Sequence, residues 1–219
     1  RGLGGSERGR RAREGAIEKK PGKAGRMFPG RNRYQQKFIR RIGDNNFGLQ
    51  LREGDEVVAA KQDYPNMVNA YKQREMRDGI KIKWISLELP SEDENYLVQQ
   101  YVNAFTDKTK VVHITHVINW NGQILPVKKI AQEAHKRGIE VVVDGAHSFA
   151  HFDFKIPDLD ADYFAASLHK WLYAPIGSGL LYVRKEKIKD IYPMFAVDKP
   201  LKDDIRKFEA LGTRPFYIE

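Results

Sequence analysis

The stretch "PVKKIAQEAHKRGIEVVVDG" (126–145) contains a helix pattern that leads directly into a strand pattern. Apolar residues recur at helical spacing from Val127 to Ala134, and Gly138 supplies the stop, which predicts an amphipathic helix. The segment "IEVVVDG" (139–145) is almost continuously apolar, as expected for a strand that is covered on both faces. A helix followed by such a strand is typical of an α/β protein with a parallel sheet.

The same alternation continues on both sides of this stretch. A further helix is predicted over 64–79, with Asp63 as its N-cap and Pro65 in its first turn. Strand patterns and one more helix pattern complete the series: strands 56–61, 80–89, 110–117, 162–167 and 179–184, and a helix within 91–106. We therefore predict an α/β fold, a three-layer sandwich around a mostly parallel sheet.

The net charge of +9 is concentrated at the N-terminus of the chain. Residues 1–43 hold 14 Lys and Arg against 3 Glu, so the remaining residues together carry −2. We expect 1–43 to be a basic segment that is disordered or non-native, because it has too few apolar residues to offset its ordering entropy. The core domain is predicted over 44–198, and 199–219 is predicted to start the connection to a further, C-terminal domain.

Composition excludes several classes of site. The chain contains no cysteine, so disulfides, thiolate metal sites and a cysteine nucleophile are excluded within it, and we predict no metal site. This composition is compatible with a reducing cytoplasm, where we expect the protein to reside. No apolar run approaches the roughly 18 residues of a membrane span, so no membrane partner is expected.

Polar residues follow the carboxyl ends of predicted strands, which is where ligands bind to parallel sheets. Asp144 ends the strand at 139–145. It either caps the next turn or is a buried carboxylate that needs a positive partner. Asn119 follows the strand at 110–117, and on its own the local Asn-Gly pattern indicates only a turn.

Lys170 follows the strand at 162–167 in the stretch "SLHKW", with Ser167 and His169 beside it. Three interpretations are open: a surface lysine, a phosphate-binding lysine, or a lysine bonded covalently to another group. Partial burial would lower the pKa of the amine and make it a nucleophile toward a carbonyl carbon. An aldehyde-bearing pyridine cofactor would use this lysine, an acid such as Asp144 at its ring nitrogen, and donors such as Ser167 and His169 for its phosphate.

The stretches "VVVDGAHSFAH" and "DYFAASLHKWLYAPIGSGLLYV" resemble the class V aminotransferase family of pyridoxal-phosphate enzymes, which has the fold type I architecture. The similarity covers about residues 45–219 and is greatest to the isopenicillin N epimerase-like branch. It implies pyridoxal 5'-phosphate as the cofactor, Lys170 as the Schiff-base residue and Asp144 as the partner of the pyridinium nitrogen. Ser167 and His169 would bind the phosphate.

The resemblance implies roles for four more residues and for a partner. Asn119 and His147 would lie near the phenolic oxygen of the cofactor, and Tyr64 would stack on its ring. Thr213 would reach the phosphate of the partner subunit's cofactor, so a homodimer is expected. The resemblance also implies a phosphate-binding turn upstream and a substrate-binding domain downstream, neither of which is recognisable in this sequence.

The predicted function is that of a pyridoxal-phosphate-dependent enzyme acting on an amino acid, an aminotransferase or an epimerase. Cysteine desulfurase chemistry is disfavoured by the absence of cysteine. One alternative is a catalytically incomplete remnant that keeps the fold. Another is a nucleic-acid-binding protein that uses its basic tail, but no aromatic-basic module accompanies the tail, so we expect no specific nucleic-acid partner.

Overall fold

The computed structural model describes residues 48–193 and 203–208 of the chain. Six strands lie in these ranges: β1 Glu56–Ala60, β2 Lys81–Ile85, β3 Thr109–Thr115, β4 Glu140–Asp144, β5 Tyr163–Ser167 and β6 Gly179–Val183. Three α-helices alternate with them: α1 Pro65–Asp78, α2 Glu94–Val102 and α3 Val127–His135. Short 3-10 helices span Ile156–Leu159, Lys185–Asp190 and Ile205–Phe208. The predicted segment 1–43 lies outside the described residues, and the proposed domain boundaries stay predictions.

The strands form one sheet in the order β2-β1-β3-β4-β5-β6. All neighbouring pairs are parallel except β5 and β6, which are antiparallel. The chain passes from β2 back across β1 to reach β3, so the direction of the strand order reverses between β1 and β3. Open α/β sheets bind ligands beyond the carboxyl ends of their strands near such a reversal.

The core lies on both faces of this sheet. On one face, α2 and α3 pack side chains such as Leu97 and Ile130 against the sheet. On the other face, Tyr71 of α1 packs against Val57 of β1 and Val142 of β4. Alternate residues of β4 therefore enter opposite clusters, which explains its almost continuous apolar sequence. The predicted three-layer α/β fold with a mostly parallel sheet is confirmed.

Helix ends follow the sequence patterns with one exception. Pro65 begins α1, and Gly79 ends it in the left-handed conformation at φ 73°, which a glycine adopts without steric cost. Asp93 caps α2 by accepting a hydrogen bond from the backbone N–H of Tyr96 at 3.0 Å. The prediction that Asp63 caps α1 is wrong, because Tyr64 occupies the N-cap position and makes no side-chain capping bond.

Among the described residues, no helix is both long enough and apolar enough to span a bilayer.

Candidate functional site

The site is built where β4 and β5 end beside each other. Asp144 is the last residue of β4, and Ser167 is the last residue of β5. The two strands are parallel, and Asp144 pairs with Ala165 in their register. Parallel strands bring their carboxyl ends to the same edge, so the loops that follow β4 and β5 meet there. Lys170 lies in the second of these loops.

Asp144 is a buried carboxylate, with only 4% of the residue exposed. Its Oδ1 accepts a hydrogen bond from the backbone N–H of Ala146 at 2.9 Å. Burial raises the pKa of Asp144 above its ordinary value, and the interaction with His113, the hydrogen bond from Ala146 and the nearby amine of Lys170 oppose that rise. A cation or a protonated ring nitrogen placed against this carboxylate would be strongly stabilised.

The amine of Lys170 contacts one ring and lies near a second. Its Nζ lies 2.8 Å from Nε2 of His147 and 5.6 Å from the centre of the Tyr64 ring. Burial lowers the pKa of Lys170, while the negative charge of Asp144 opposes that shift. A lowered pKa increases the fraction of neutral amine, which is the nucleophilic form. This environment is compatible with a lysine that bonds covalently to another group, and that role of Lys170 stays a prediction.

His147 connects Lys170 to an aromatic pair. The indole Nε1 of Trp171 donates a hydrogen bond to Nδ1 of His147 at 3.4 Å. The Trp171 ring stacks on His151, with ring centres 3.7 Å apart and planes 4° from parallel. Burial lowers the pKa of His147 to about 4, and electrostatic interactions with Lys170 and His151 act in the same direction. The imidazole of His147 is therefore neutral near pH 7.

The two predicted phosphate ligands lie in the loop that carries Lys170. Ser167 is 1% exposed, and its Oγ has no hydrogen-bond partner within residues 48–193 and 203–208. A buried hydroxyl without a partner is costly, so it indicates a place for an acceptor that the polypeptide does not supply. His169 is half-buried, with its Nδ1 3.3 Å from the carbonyl oxygen of Ser178.

The remaining predicted residues differ in how far the structure bears on them. Tyr64 precedes α1, and the centre of its ring lies 5.6 Å from the Lys170 amine. Asn119 is exposed in the turn after β3, and no contact in the described part of the chain joins it to Lys170 or Asp144. Thr213 lies outside the described residues. The cofactor-binding roles of all these residues stay predictions.

The sequence patterns missed a second buried carboxylate in this region. Asp63 accepts hydrogen bonds from the hydroxyl of Thr115 at 2.6 Å and from the backbone N–H of Ala60 at 2.7 Å. Burial raises the pKa of Asp63 to about 7, and these hydrogen bonds oppose the rise. The bond to Thr115 joins the ends of β1 and β3, where the strand order reverses. A polar residue just beyond a strand was the available signal, but the adjacent helix start suggested a cap instead.

His113 was also missed, since one histidine within an apolar strand carries no local signal. Its side chain is fully buried, and neither ring nitrogen has a hydrogen-bond partner among the described residues. The edge of its ring meets Tyr71, with ring centres 5.7 Å apart. Burial lowers the pKa of His113 to about 4. His113 is therefore a neutral polar group on the same face of the sheet as Asp144.

The sequence of the chain matches a known protein family. The family model for class-V aminotransferases matches residues 44–202. Isopenicillin N epimerase from Streptomyces clavuligerus is 32% identical over 146 residues, a match that covers 66% of this chain and 36% of that protein. A probable cysteine desulfurase from Halalkalibacterium halodurans is 33% identical over 144 residues, covering 66% of this chain and 34% of that protein. The matches thus extend over about a third of each relative.

Solved structures show the same fold. The cystine C-S lyase C-DES in complex with its reaction product, cysteine persulfide, superposes with a TM-score of 0.70 at 24% identity. The match covers 78% of this chain and 49% of that one. A C-DES mutant with glycine covalently linked to its PLP cofactor also gives a TM-score of 0.70, at 23% identity, covering 79% of this chain and 49% of that one. At these identities the likeness shows the architecture alone.

Proposed function

The chain belongs to the class V aminotransferase family, and on that premise we propose that it is the cofactor-binding part of a pyridoxal-phosphate-dependent enzyme that acts on an amino acid. The observation that carries the proposal is the setting of Lys170. Its amine has a lowered pKa, contacts a neutral imidazole and interacts electrostatically with the buried carboxylate of Asp144. A lysine in this environment is suited to covalent bonding with a carbonyl carbon.

The residues present fit the cofactor. Ser167 offers a buried hydroxyl that has no partner among the described residues, which suits a phosphate oxygen. Asp144 offers a buried carboxylate whose pKa is raised by burial, which suits a protonated ring nitrogen. Pyridoxal phosphate supplies an aldehyde that bonds with amines and a protonated ring that accepts electron density from the bonded carbon.

Each side chain in the proposal has a separate task. Lys170 would hold the cofactor through its amine and would hold or return a proton at the α-carbon of a bound substrate. Asp144 would keep the ring nitrogen protonated. Tyr64 would cover one face of the ring and exclude water from it. These tasks require the side chains to lie together at one edge of the sheet. The contacts of Lys170 with His147 and Tyr64 support this arrangement.

Further residues complete the proposed binding site. Ser167 and His169 would bind the phosphate, and His147 and Asn119 would lie near the phenolic oxygen. Thr213 contributes to the site of the partner subunit in a homodimer, and we place the enzyme in the cytoplasm. Size-exclusion chromatography with light scattering tests the dimer, and a monomeric mass in the presence of cofactor would contradict it.

Transamination and epimerisation are both compatible with these residues, because both begin at the same lysine. The relatives include an epimerase and cysteine desulfurases. Desulfurase chemistry that carries sulfur on a cysteine would need a thiol that these 219 residues do not contain. The alternative within the same fold is a remnant that binds the cofactor without turnover. Incubation with amino acids, followed by chiral chromatography and keto-acid analysis, separates the three outcomes.

Cofactor attachment is the direct test. The purified chain is mixed with pyridoxal phosphate, its visible absorption is recorded, and the adduct is reduced with borohydride and mapped by peptide mass spectrometry. We expect a Schiff-base band and a modified peptide that contains Lys170.

Two variants make this test specific. Lys170→Ala and Lys170→Arg should both lose the band, and Arg keeps the positive charge in case Ala impairs folding. Lys61→Ala is the matched control, since Lys61 is an exposed lysine at the carboxyl end of β1, on the same edge of the sheet. A band that persists in both Lys170 variants, or that Lys61→Ala abolishes, would refute the assignment.

A further inference from the structure

Trp171, His147 and Lys170 form a chain of contacts that reaches from the surface to the amine. Trp171 Nε1 lies 3.4 Å from His147 Nδ1, and His147 Nε2 lies 2.8 Å from Lys170 Nζ. Both ring nitrogens of His147 are thus engaged, one on each side. The donor and acceptor properties of these groups restrict where the protons can be.

The indole N–H is a donor only, whereas a neutral imidazole carries one hydrogen and one lone pair. If Trp171 donates to Nδ1 of His147, the imidazole hydrogen must be on Nε2. That hydrogen then points at Lys170, whose Nζ must accept it with a lone pair. An ammonium group has three donors and no acceptor, so only the neutral amine completes this arrangement.

The opposite arrangement is penalised. A protonated Lys170 would donate to Nε2 and move the imidazole hydrogen to Nδ1. Two N–H groups, one on His147 and one on Trp171, would then face each other across 3.4 Å. One of them would lose its hydrogen bond, and in a partly buried site that loss costs free energy. The Trp171 N–H therefore couples the tautomer of His147 to the protonation state of Lys170.

Trp171 is itself held in place from the other side. Its ring lies flat on His151, with ring centres 3.7 Å apart. His151 Nδ1 lies 2.9 Å from the carbonyl oxygen of His147, and a carbonyl can only accept, so Nδ1 of His151 carries the hydrogen. The orientation of the indole is thus determined by the same turn that carries His147. Trp171 is 37% exposed, so filling the core does not account for its position.

We propose that Trp171 is a positioning residue that holds His147 in the Nε2–H tautomer, so that His147 donates to Lys170 and favours its neutral, nucleophilic amine. This inference rests on the proposed function, because the neutral amine is the form that bonds with an aldehyde. Asp144 and the face of the Tyr64 ring favour the ammonium form, and the His147 hydrogen bond opposes both. The role assigned to Trp171 is indirect, through His147.

The tautomer can be measured without cofactor. When the protein is labelled with ¹⁵N-histidine, the NMR chemical shifts of the ring nitrogens distinguish the nitrogen that bears hydrogen from the one that does not. The chain has six histidines, and the signals lost in His147→Gln identify those of His147. We expect hydrogen on Nε2 and a bare Nδ1 near pH 7. Hydrogen on Nδ1 in the parent chain would overturn the proposal without any variant.

Trp171→Phe tests the coupling to Lys170, since phenylalanine keeps a ring to stack on His151 and lacks only the N–H. The pKa of Lys170 is obtained from the pH dependence of its acetylation by trace acetic anhydride, followed by peptide mapping. We expect Trp171→Phe to raise that pKa and to slow acetylation near pH 7 by roughly two- to tenfold, the effect of one hydrogen bond. The His147 ring should then populate both tautomers.

Controls separate a positioning role from a structural one. Trp120→Phe changes a tryptophan that is 59% exposed in the turn after β3, and it should change neither the His147 shifts nor the acetylation rate. In a His147→Phe background, Trp171→Phe should have no further effect on Lys170, because a phenylalanine ring can neither accept from the Trp171 N–H nor donate to the Lys170 amine. An effect of the same size in that background would overturn the proposal.

The two proposals fail in distinguishable ways. If Trp171→Phe leaves the tautomer and the Lys170 pKa unchanged while Lys170 still forms the cofactor adduct, the inference on Trp171 is wrong and the proposed function stands. If the tautomer and pKa respond as expected but no adduct forms on Lys170, the proposed function fails and the coupling remains.

Discussion

Asp63→Asn should stabilise the chain at neutral pH and not at acid pH. Burial raises the pKa of Asp63 from an ordinary 3.8 to about 7, so the folded chain binds this proton more tightly than the unfolded chain. The stability that this group contributes is full below about pH 4 and is lost as the pH rises through 7. The difference of about three pH units corresponds to a loss of about 4 kcal/mol.

The asparagine variant keeps the hydrogen bonds of the site. Its amide oxygen can accept from the Ala60 N–H, and its amide nitrogen can donate to the hydroxyl of Thr115, which both donates and accepts. The variant therefore removes the titrating charge and little else. We expect its advantage over the parent chain in free energy of unfolding to grow by up to about 4 kcal/mol between pH 4 and pH 8.

Urea unfolding followed by far-UV circular dichroism at five pH values measures this difference. Both chains share the opposing effect of buried histidines such as His113, whose pKa is lowered to about 4, so that effect cancels in the comparison. Asp93→Asn is the control, because Asp93 is exposed and asparagine is an equally good N-cap. An advantage of Asp63→Asn that stays constant with pH, or grows toward acid, would refute the reasoning.

Two substitutions test the packing beneath the site. Gly145→Ala would place its Cβ 1.9 Å from the ring of Phe164 and should lower the free energy of unfolding in urea by about 1–3 kcal/mol. Its control is Gly138→Ala, whose Cβ meets open space at φ 69° and which should cost only about 1 kcal/mol. Equal costs for the two substitutions would contradict the close approach of Phe164 to Gly145. Ile130→Ala leaves a cavity at a fully buried position of α3 and should lower the free energy of unfolding by about 2–5 kcal/mol. Met76→Ala, at a residue that is 83% exposed, should change it by no more than about 0.5 kcal/mol. A loss at Ile130 no larger than that at Met76 would disprove the place of Ile130 in the core.

The class of fold could be predicted from the sequence because its signals are local. The apolar run that ends at Asp144 is a strand buried on both faces, and Pro65 and Gly79 bound a helix whatever surrounds it. The family relationship could also be predicted from the stretches around Asp144 and Lys170, and the match over residues 44–202 confirms it.

The contacts that define the chemistry depend on tertiary structure. His147 and Lys170 are 23 residues apart in sequence, and they meet because β4 and β5 are adjacent parallel strands. The sequence suggested that Asp63 serves its own helix, but the neighbouring β3 places Thr115 within hydrogen-bond distance and buries the carboxylate.

The contrast between Asp144 and Asn119 has the same cause. Both residues follow strands of one sheet, yet Asp144 is buried and Asn119 is exposed. A polar residue after a strand is a local pattern that places a side chain at the correct edge of the sheet. Burial, and with it the pKa, depends on which loops cover that edge, and the contacts between loops distant in sequence determine this coverage.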